Sequence, residues 1–198
     1  MSVSTPLLPK AGDRMTFQEF KALNLPESSS LYLLKGIVYD EADSAQDETM
    51  TKRNHQHAGV ESRLCFLLHR WREASKFACR IFSGEVGCEA PEFSLDVGID
   101  IAVFTKETVD RQGTNPFIQG VPLLAVEILS PSDKQSSIKD KIDSYLNAGV
   151  PLVWMVDPHF RTIIVHRPNV VPEMFASGAE LDGSPTLPGL RIEIAEIF

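Results

Sequence analysis

Two short apolar runs each carry one carboxylate near the middle: Gly98-Ile99-Asp100-Ile101-Ala102-Val103-Phe104 and Leu123-Leu124-Ala125-Val126-Glu127-Ile128-Leu129-Ser130. Apolar runs of this length, bounded by turn formers, read as buried strands. An ionised carboxylate in such a strand is costly unless something positive lies beside it. One on each of two core strands points to a cation between them. Hard divalent ions such as Mg²⁺ or Mn²⁺ choose carboxylate oxygens, so Asp100 and Glu127 are the candidate metal ligands.

The segment after the second run supplies a third group. Ser130-Pro131-Ser132-Asp133 reads as a strand exit and a helix start, with Ser or Asp as the cap. The helix then runs to about Asn147 and stops at Gly149. Ile138, Ile142, Tyr145 and Leu146 form its apolar stripe. Lys141 falls at the edge of that stripe, where its stem can be buried and its ammonium can reach the neighbouring strand end. Lys134, seven positions earlier on the same side, is the fallback. Asp, Glu and Lys gathered on a small α/β sheet are the parts a metal-dependent phosphodiesterase needs.

Each of these residues also has a structural reading. Asp100 can cap a loop at a strand end, and Glu127 can be half of a buried salt bridge with Lys141. Lys141 itself can be an ordinary surface-reaching lysine, and Tyr145, a possible accessory residue of the site, reads more simply as core packing. His57 and Glu61 are spaced i, i+4 on a helix, a spacing that can bind metal and equally suits a satisfied half-buried histidine. Glu85, in Ser83-Gly84-Glu85-Val86-Gly87, is a further accessory candidate near a strand. Asp96, four before Asp100, is the weaker alternative ligand and reads as structural or exposed.

The elements that must position these groups follow from periodicity. Thr16 and Glu19 form a capping box for a short helix. Tyr32 to Tyr39, bent about Gly36, suggests a hairpin, and the acidic segment 40–50 a loop. A long helix is expected over Asn54 to Phe77, with Val60, Leu64, Leu67, Leu68 and Trp71 inward and His57 on the same side. Strands are expected at 80–82, 96–104, 123–129, 152–156 and 162–167, the last two joined by a hairpin at 157–161. An amphipathic tail follows Leu187-Pro188-Gly189-Leu190. Residues 1–13 read as a flexible arm, and 14–198 as a single domain.

Composition narrows the class. A chain of 198 residues with 43% hydrophobic and 23% charged content is ordinary for a globular protein. No apolar stretch approaches a bilayer span, so no membrane partner is expected. The start, Met-Ser-Val-Ser-Thr-Pro, lacks signal-peptide features, and the three cysteines have no metal-site spacing; a cytoplasmic location is expected. The net charge of −8 argues against a strong non-specific nucleic-acid binder. Residues 51–80 nevertheless hold seven Lys or Arg against two Glu, and such a basic helix can meet a phosphate backbone or simply face solvent.

Taken together, an ordered set of motifs resembles a known family. It comprises Met15-Thr16-Phe17-Gln18-Glu19-Phe20, Tyr32-Leu33-Leu34-Lys35-Gly36-Ile37-Val38, His57 with Val60 and Leu64, and the Asp100 strand. It continues through Val126-Glu127-Ile128-Leu129-Ser130-Pro131-Ser132-Asp133, Lys141, Tyr145, Ala148-Gly149-Val150-Pro151 and Trp154-Met155-Val156-Asp157-Pro158. This set is similar to the Uma family of restriction endonuclease-type proteins, within the PD-(D/E)XK nuclease superfamily. The resemblance implies a restriction endonuclease-like fold: a mixed β-sheet core flanked by helices, with an N-terminal β-hairpin. It also implies Mg²⁺- or Mn²⁺-dependent hydrolysis of a nucleic acid, DNA first, without evident sequence recognition. A homodimer would suit duplex cleavage. The chain departs from the superfamily pattern at Ile99, where a proline usually precedes the metal-binding Asp, and at Leu129, where a lysine is expected. Related proteins supply that lysine from the following helix, which here is Lys141. The alternative is a non-catalytic interaction or scaffold protein on a degenerate nuclease fold.

Overall fold

Long apolar and alternating segments joined by short turns favour one large sheet covered by helices, and that is what forms. The computed structural model describes residues 8–26, 29–40, 54–131 and 133–198. In chain order the elements are α1 (Phe17–Ala22), β1 (Leu31–Leu34), β2 (Ile37–Asp40), α2 (His55–Ser75), β3 (Cys79–Ala90), β4 (Leu95–Thr105), α3 (Lys106–Asp110), β5 (Ile118–Gln119), β6 (Leu124–Ile128), α4 (Gln135–Asn147), β7 (Leu152–Asp157), β8 (Thr162–His166), β9 (Glu173–Phe175), β10 (Glu180–Asp182) and β11 (Arg191–Glu193). The main sheet runs β2-β1-β4-β6-β7-β8-β9, with β3 on β4 and β5 on β3; β10 and β11 make a separate hairpin. The pairing is antiparallel throughout the main path except for β6 with β7, which are parallel and joined by α4. A parallel pair needs such a crossover, and the helix must pack back on the sheet.

Two cores result. One face packs α2, through Val60, Leu64, Leu67, Leu68 and Trp71, against Ile101, Val103, Val126, Trp154 and the C-terminal residues Leu190, Ile192, Ile194 and Ile197. The inward stripe of α2 is the one its heptad spacing predicts. The other face packs Tyr145, with half-buried Ile138, Ile142 and Leu146 of α4, against Ala102, Ala125, Val153 and Met155. α1 and the β1–β2 hairpin close a smaller cluster around Phe20, Leu33 and Val38.

Several boundaries differ from expectation, each for a local reason. α2 ends two residues before Phe77 because Lys76 turns left-handed, at φ +58°, and Phe77 folds back beside Trp71. β3 extends from Cys79 to Ala90, far beyond 80–82. Its polar Ser83-Gly84-Glu85 centre is a β-bulge that bends the strand without ending it. The expected cap of α4 shifts as well: Asp133 turns back to accept the Ser130 N–H at 2.7 Å, and the helix starts at Gln135 after Lys134. Ser132, the other expected cap, lies outside the described residues, as do residues 1–7 of the expected arm and 41–50 of the expected loop. Within the stretch 8–13 the Gly12 N–H donates to Val38 O and the Val38 N–H to Asp13 O, so this part borders β2. No helix among the described residues is long and apolar enough to cross a membrane.

Asp96 is held in a cluster of charges on the β3–β4 ladder. It stands directly opposite Glu89 in the β3–β4 register. Lys21 of α1 bridges the pair, 2.7 Å from Glu89 and 3.2 Å from Asp96. Gln119 donates to the second Glu89 oxygen at 2.8 Å. Burial pushes the Asp96 carboxyl up in pKa, with Lys21 opposing the rise. Lys21→Met should leave two carboxylates facing each other and destabilise the fold by about 3 kcal/mol. Urea melts measure this, and a loss below about 1 kcal/mol would show that the cluster does not hold α1 to the sheet.

Candidate active site

Asp100 lies where the sheet forks. β3 occupies one edge of β4. On the other edge β1 pairs at Asp96, and β6 takes over from Ile101, which faces Val126. Extending that register by one position sets Asp100 opposite Glu127, on the sheet face shared by Ala102 and Ala125. Both carboxylates are 6% exposed. The fork leaves the Ile128 N–H without a strand partner from β4, and the Asp100 side chain takes it: Oδ2 accepts it at 2.7 Å. Across β4 the bulge in β3 places Gly84 and Glu85 together opposite Asp100, both with left-handed φ (+90° and +55°). Bulges recur beside functional sites because they re-aim neighbouring side chains.

Glu127 is held at both oxygens from α4. The Tyr145 hydroxyl donates to Oε1 at 2.5 Å, and the Lys141 ammonium lies 3.0 Å from Oε2. Lys141 and Tyr145 are one helical turn apart, so a single helix face delivers both groups to one carboxylate. Burial pushes the Glu127 carboxyl up to about 7; the Asp100 charge adds to the rise, while Lys141 and the Tyr145 hydroxyl oppose it. Burial, with the charge of Glu127 beside it, likewise raises Tyr145 well above an ordinary tyrosine, so it remains a donor. A cleft of about 40 Å³ opens over these groups, lined by Tyr32, Asp40, Glu127, Ile128, Asp133 and Lys141 among others.

The remaining candidates separate clearly. His57, buried at the start of α2, directs Nε2 to Asp100 Oδ2 at 3.3 Å and Nδ1 toward Glu61 Oε2 at 3.8 Å. It therefore joins the site through Asp100, with the Asn54 cap fixing the start of its helix. Glu85 is exposed in the bulge, and its Cβ fills the space beside Gly98, 3.4 Å from an idealised Cβ there. Lys134 is exposed at the head of α4, and Lys141 is the lysine that arrives. Of the basic side chains on α2, Arg63 donates to the Glu196 carbonyl at 2.6 Å and Arg70 pairs with the Glu196 carboxylate at 2.9 Å. They are committed to the C-terminal segment. The backbone N–H of Ile128 and the ring of Tyr32, 5.4 Å from the Lys141 ammonium, were not legible as site groups. Tyr32 carried the one usable signal, an aromatic in a hairpin abutting the site strand.

The donor set suits one class of ion. Among the described residues no three His, Cys, Asp or Glu side chains form a closed metal cage. Mg²⁺ and Mn²⁺ do not need one: one or two carboxylates suffice, with waters and phosphate oxygens completing the shell. Asp100 and Glu127 are such a pair.

Comparison with known proteins bears on the fold and the family. A crystal structure of a protein from Anabaena variabilis ATCC 29413, described as a putative nuclease belonging to DUF820, superposes with a TM-score of 0.76 at 22% identity, covering 93% of this chain and 97% of that one. At that identity the match establishes a shared fold. No curated protein matches. The Uma2 family model, described as "Putative restriction endonuclease", matches residues 18–195. That span takes in α1, the fork, the bulge and α4, and the chain belongs to the Uma2 family.

Proposed function

We propose that the protein is a metal-dependent endonuclease that hydrolyses phosphodiester bonds in nucleic acid, with DNA as the first substrate class. The observation that carries this reading is the meeting of Asp100 and Glu127 at the fork, with the Lys141 ammonium on Glu127. The two carboxylates would hold Mg²⁺ or Mn²⁺. Such an ion, when bound, supplies Lewis-acid polarisation of the phosphate and lowers the pKa of a water. The chain's own groups do the rest. The Ile128 N–H and His57 fix Asp100 Oδ2, and Tyr145 fixes Glu127 Oε1. Lys141 brings positive charge to the place where a phosphate gains negative charge in the transition state. Leu129 stands where the superfamily pattern has its lysine. Lys141 reaches the same carboxylate from α4, which supports activity by a relocated lysine over a degenerate scaffold.

Incubating the protein with plasmid DNA, linear duplex, single strands and RNA, in Mg²⁺, Mn²⁺ or chelator, tests the reading. Cleavage should require the ion, and Asp100→Ala should reduce it by on the order of a hundredfold or more, equivalent to about 3 kcal/mol. Cleavage that persists in chelator, or that Asp100→Ala leaves unchanged, would contradict it.

The raised Glu127 carboxyl makes both binding and stability pH-dependent. The folded chain keeps a proton on Glu127 between its ordinary value, 4.5, and about 7, where the unfolded chain has lost it. Glu127 therefore favours the fold most at low pH, and that contribution falls away as pH rises from about 4.5 to about 7. Cation binding must expel the same proton, so Mn²⁺ affinity should weaken about tenfold per pH unit below about 7 and level off above it. A titration series from pH 5.5 to 8.5 gives the slope, and a flat profile removes Glu127 from the ligand set.

Glu127→Gln should abolish Mn²⁺ binding while leaving the protein, in chelator at pH 8, as stable as the parent or more so. It removes a buried charge whose retention costs on the order of 3 kcal/mol, keeps an acceptor for Tyr145, and gives up the Lys141 ion pair. A loss of about 3 kcal/mol or more in thermal melts, with no Mn²⁺-dependent shift in the parent, would mean that Glu127 serves only as the partner of a structural lysine.

A further inference from the structure

Resting on the metal-dependent reading above, we propose that Lys141 is a built-in competitor of the divalent cation: its ammonium holds the Glu127 oxygen the cation needs, and on cation entry it releases Glu127 and is left to the face of Tyr32, which it already adjoins. The two oxygens of Glu127 differ in what holds them. Oε1 takes the hydroxyl of Tyr145, a fully buried aromatic that cannot swing away without opening the core. Oε2 takes the end of a long, flexible lysine at the border of the cleft. Only the second contact can be exchanged. A divalent ion beside the same carboxylate repels the ammonium and takes the oxygen that it holds.

The ammonium already has a second partner that would remain to it once Glu127 is taken. The Tyr32 ring centroid lies 5.4 Å from Lys141 Nζ, within the range over which a ring face attracts a cation. That ring is stacked on Tyr39 at 5.5 Å, and the Tyr39 hydroxyl donates to Asp140 of α4 at 2.9 Å. The ring is thus tied to the helix that carries the lysine, beside it rather than across open solvent. Asp40 and Asp133 line the same cleft and favour positive charge there.

The test is Mn²⁺ titration by calorimetry on the full chain: parent, Lys141→Met, Tyr32→Leu and the double variant, each first melted in chelator to establish folding. Lys141→Met should bind Mn²⁺ about tenfold or more tightly, since the competitor is gone. Tyr32→Leu should bind about threefold or more weakly, and the same change on the Lys141→Met background should do nothing, because no ammonium remains to be received. If Lys141→Met melts too low to titrate, Lys141→Gln, which keeps a donor to Glu127 and removes the charge, carries the same comparison. Equal or weaker binding by the Lys141 variant overturns the competitor role while leaving the metal reading intact. A Tyr32→Leu effect that is nil, or identical on both backgrounds, overturns the Tyr32 resting place. Absence of Mn²⁺ binding by the parent and by every variant overturns the metal reading, and the exchange with it.

Discussion

Two carboxylates buried opposite one another on neighbouring strands constrain everything around them. Like charges in a desolvated cleft raise one another's proton affinity, and each must be met by donors or by positive charge. The surroundings of Asp100 and Glu127 answer that requirement group by group. The Ile128 N–H and His57 meet Asp100; Tyr145 and Lys141 meet Glu127. Burial nevertheless leaves the Glu127 carboxyl raised to about 7, with the Asp100 charge adding to the rise. In the proposed function a divalent cation would meet the charge of both carboxylates.

The architecture supplies these partners from separate places. The fork in β4 turns an orphaned backbone donor toward Asp100. The parallel β6–β7 pair forces a helical crossover, and that crossover brings Lys141 and Tyr145 to the carboxyl end of β6. In open α/β sheets this end is where ligands gather, because side chains and helix termini converge there without filling the core. The Lys21–Glu89–Asp96 cluster uses the same ingredients, two facing carboxylates and a helix lysine, with a different outcome. Lys21 bridges both acids and Gln119 takes the remaining Glu89 oxygen, so the charges are closed off as a brace for α1.

Much of this was legible in the residues. A carboxylate inside each of two apolar runs marked Asp100 and Glu127, and the edge of an amphipathic stripe marked Lys141. The core face of α2 followed from spacing alone, because burial enforces the helical period. What was not legible depends on long-range pairing. The length of β3 was hidden by Ser83-Gly84-Glu85, a composition that reads as a break and serves as a bulge. Asp133 looked like a helix cap, but a loop N–H competes for the same carboxylate. That His57 reaches Asp100 depends on how α2 is docked, which no local pattern encodes. Tyr145 was legible as core and not as the donor to Glu127, although its position one turn after Lys141 contained that information.

The central claim, that Asp100 and Glu127 share a divalent cation, is tested most directly by anomalous diffraction from a crystal soaked in Mn²⁺. The account predicts one strong peak at the fork between β1 and β6, within about 2.0–2.3 Å of a carboxylate oxygen from each residue. It also predicts that the Lys141 ammonium has left Glu127. A well-ordered crystal with no peak there, and with Lys141 still paired to Glu127 at high Mn²⁺, would contradict it.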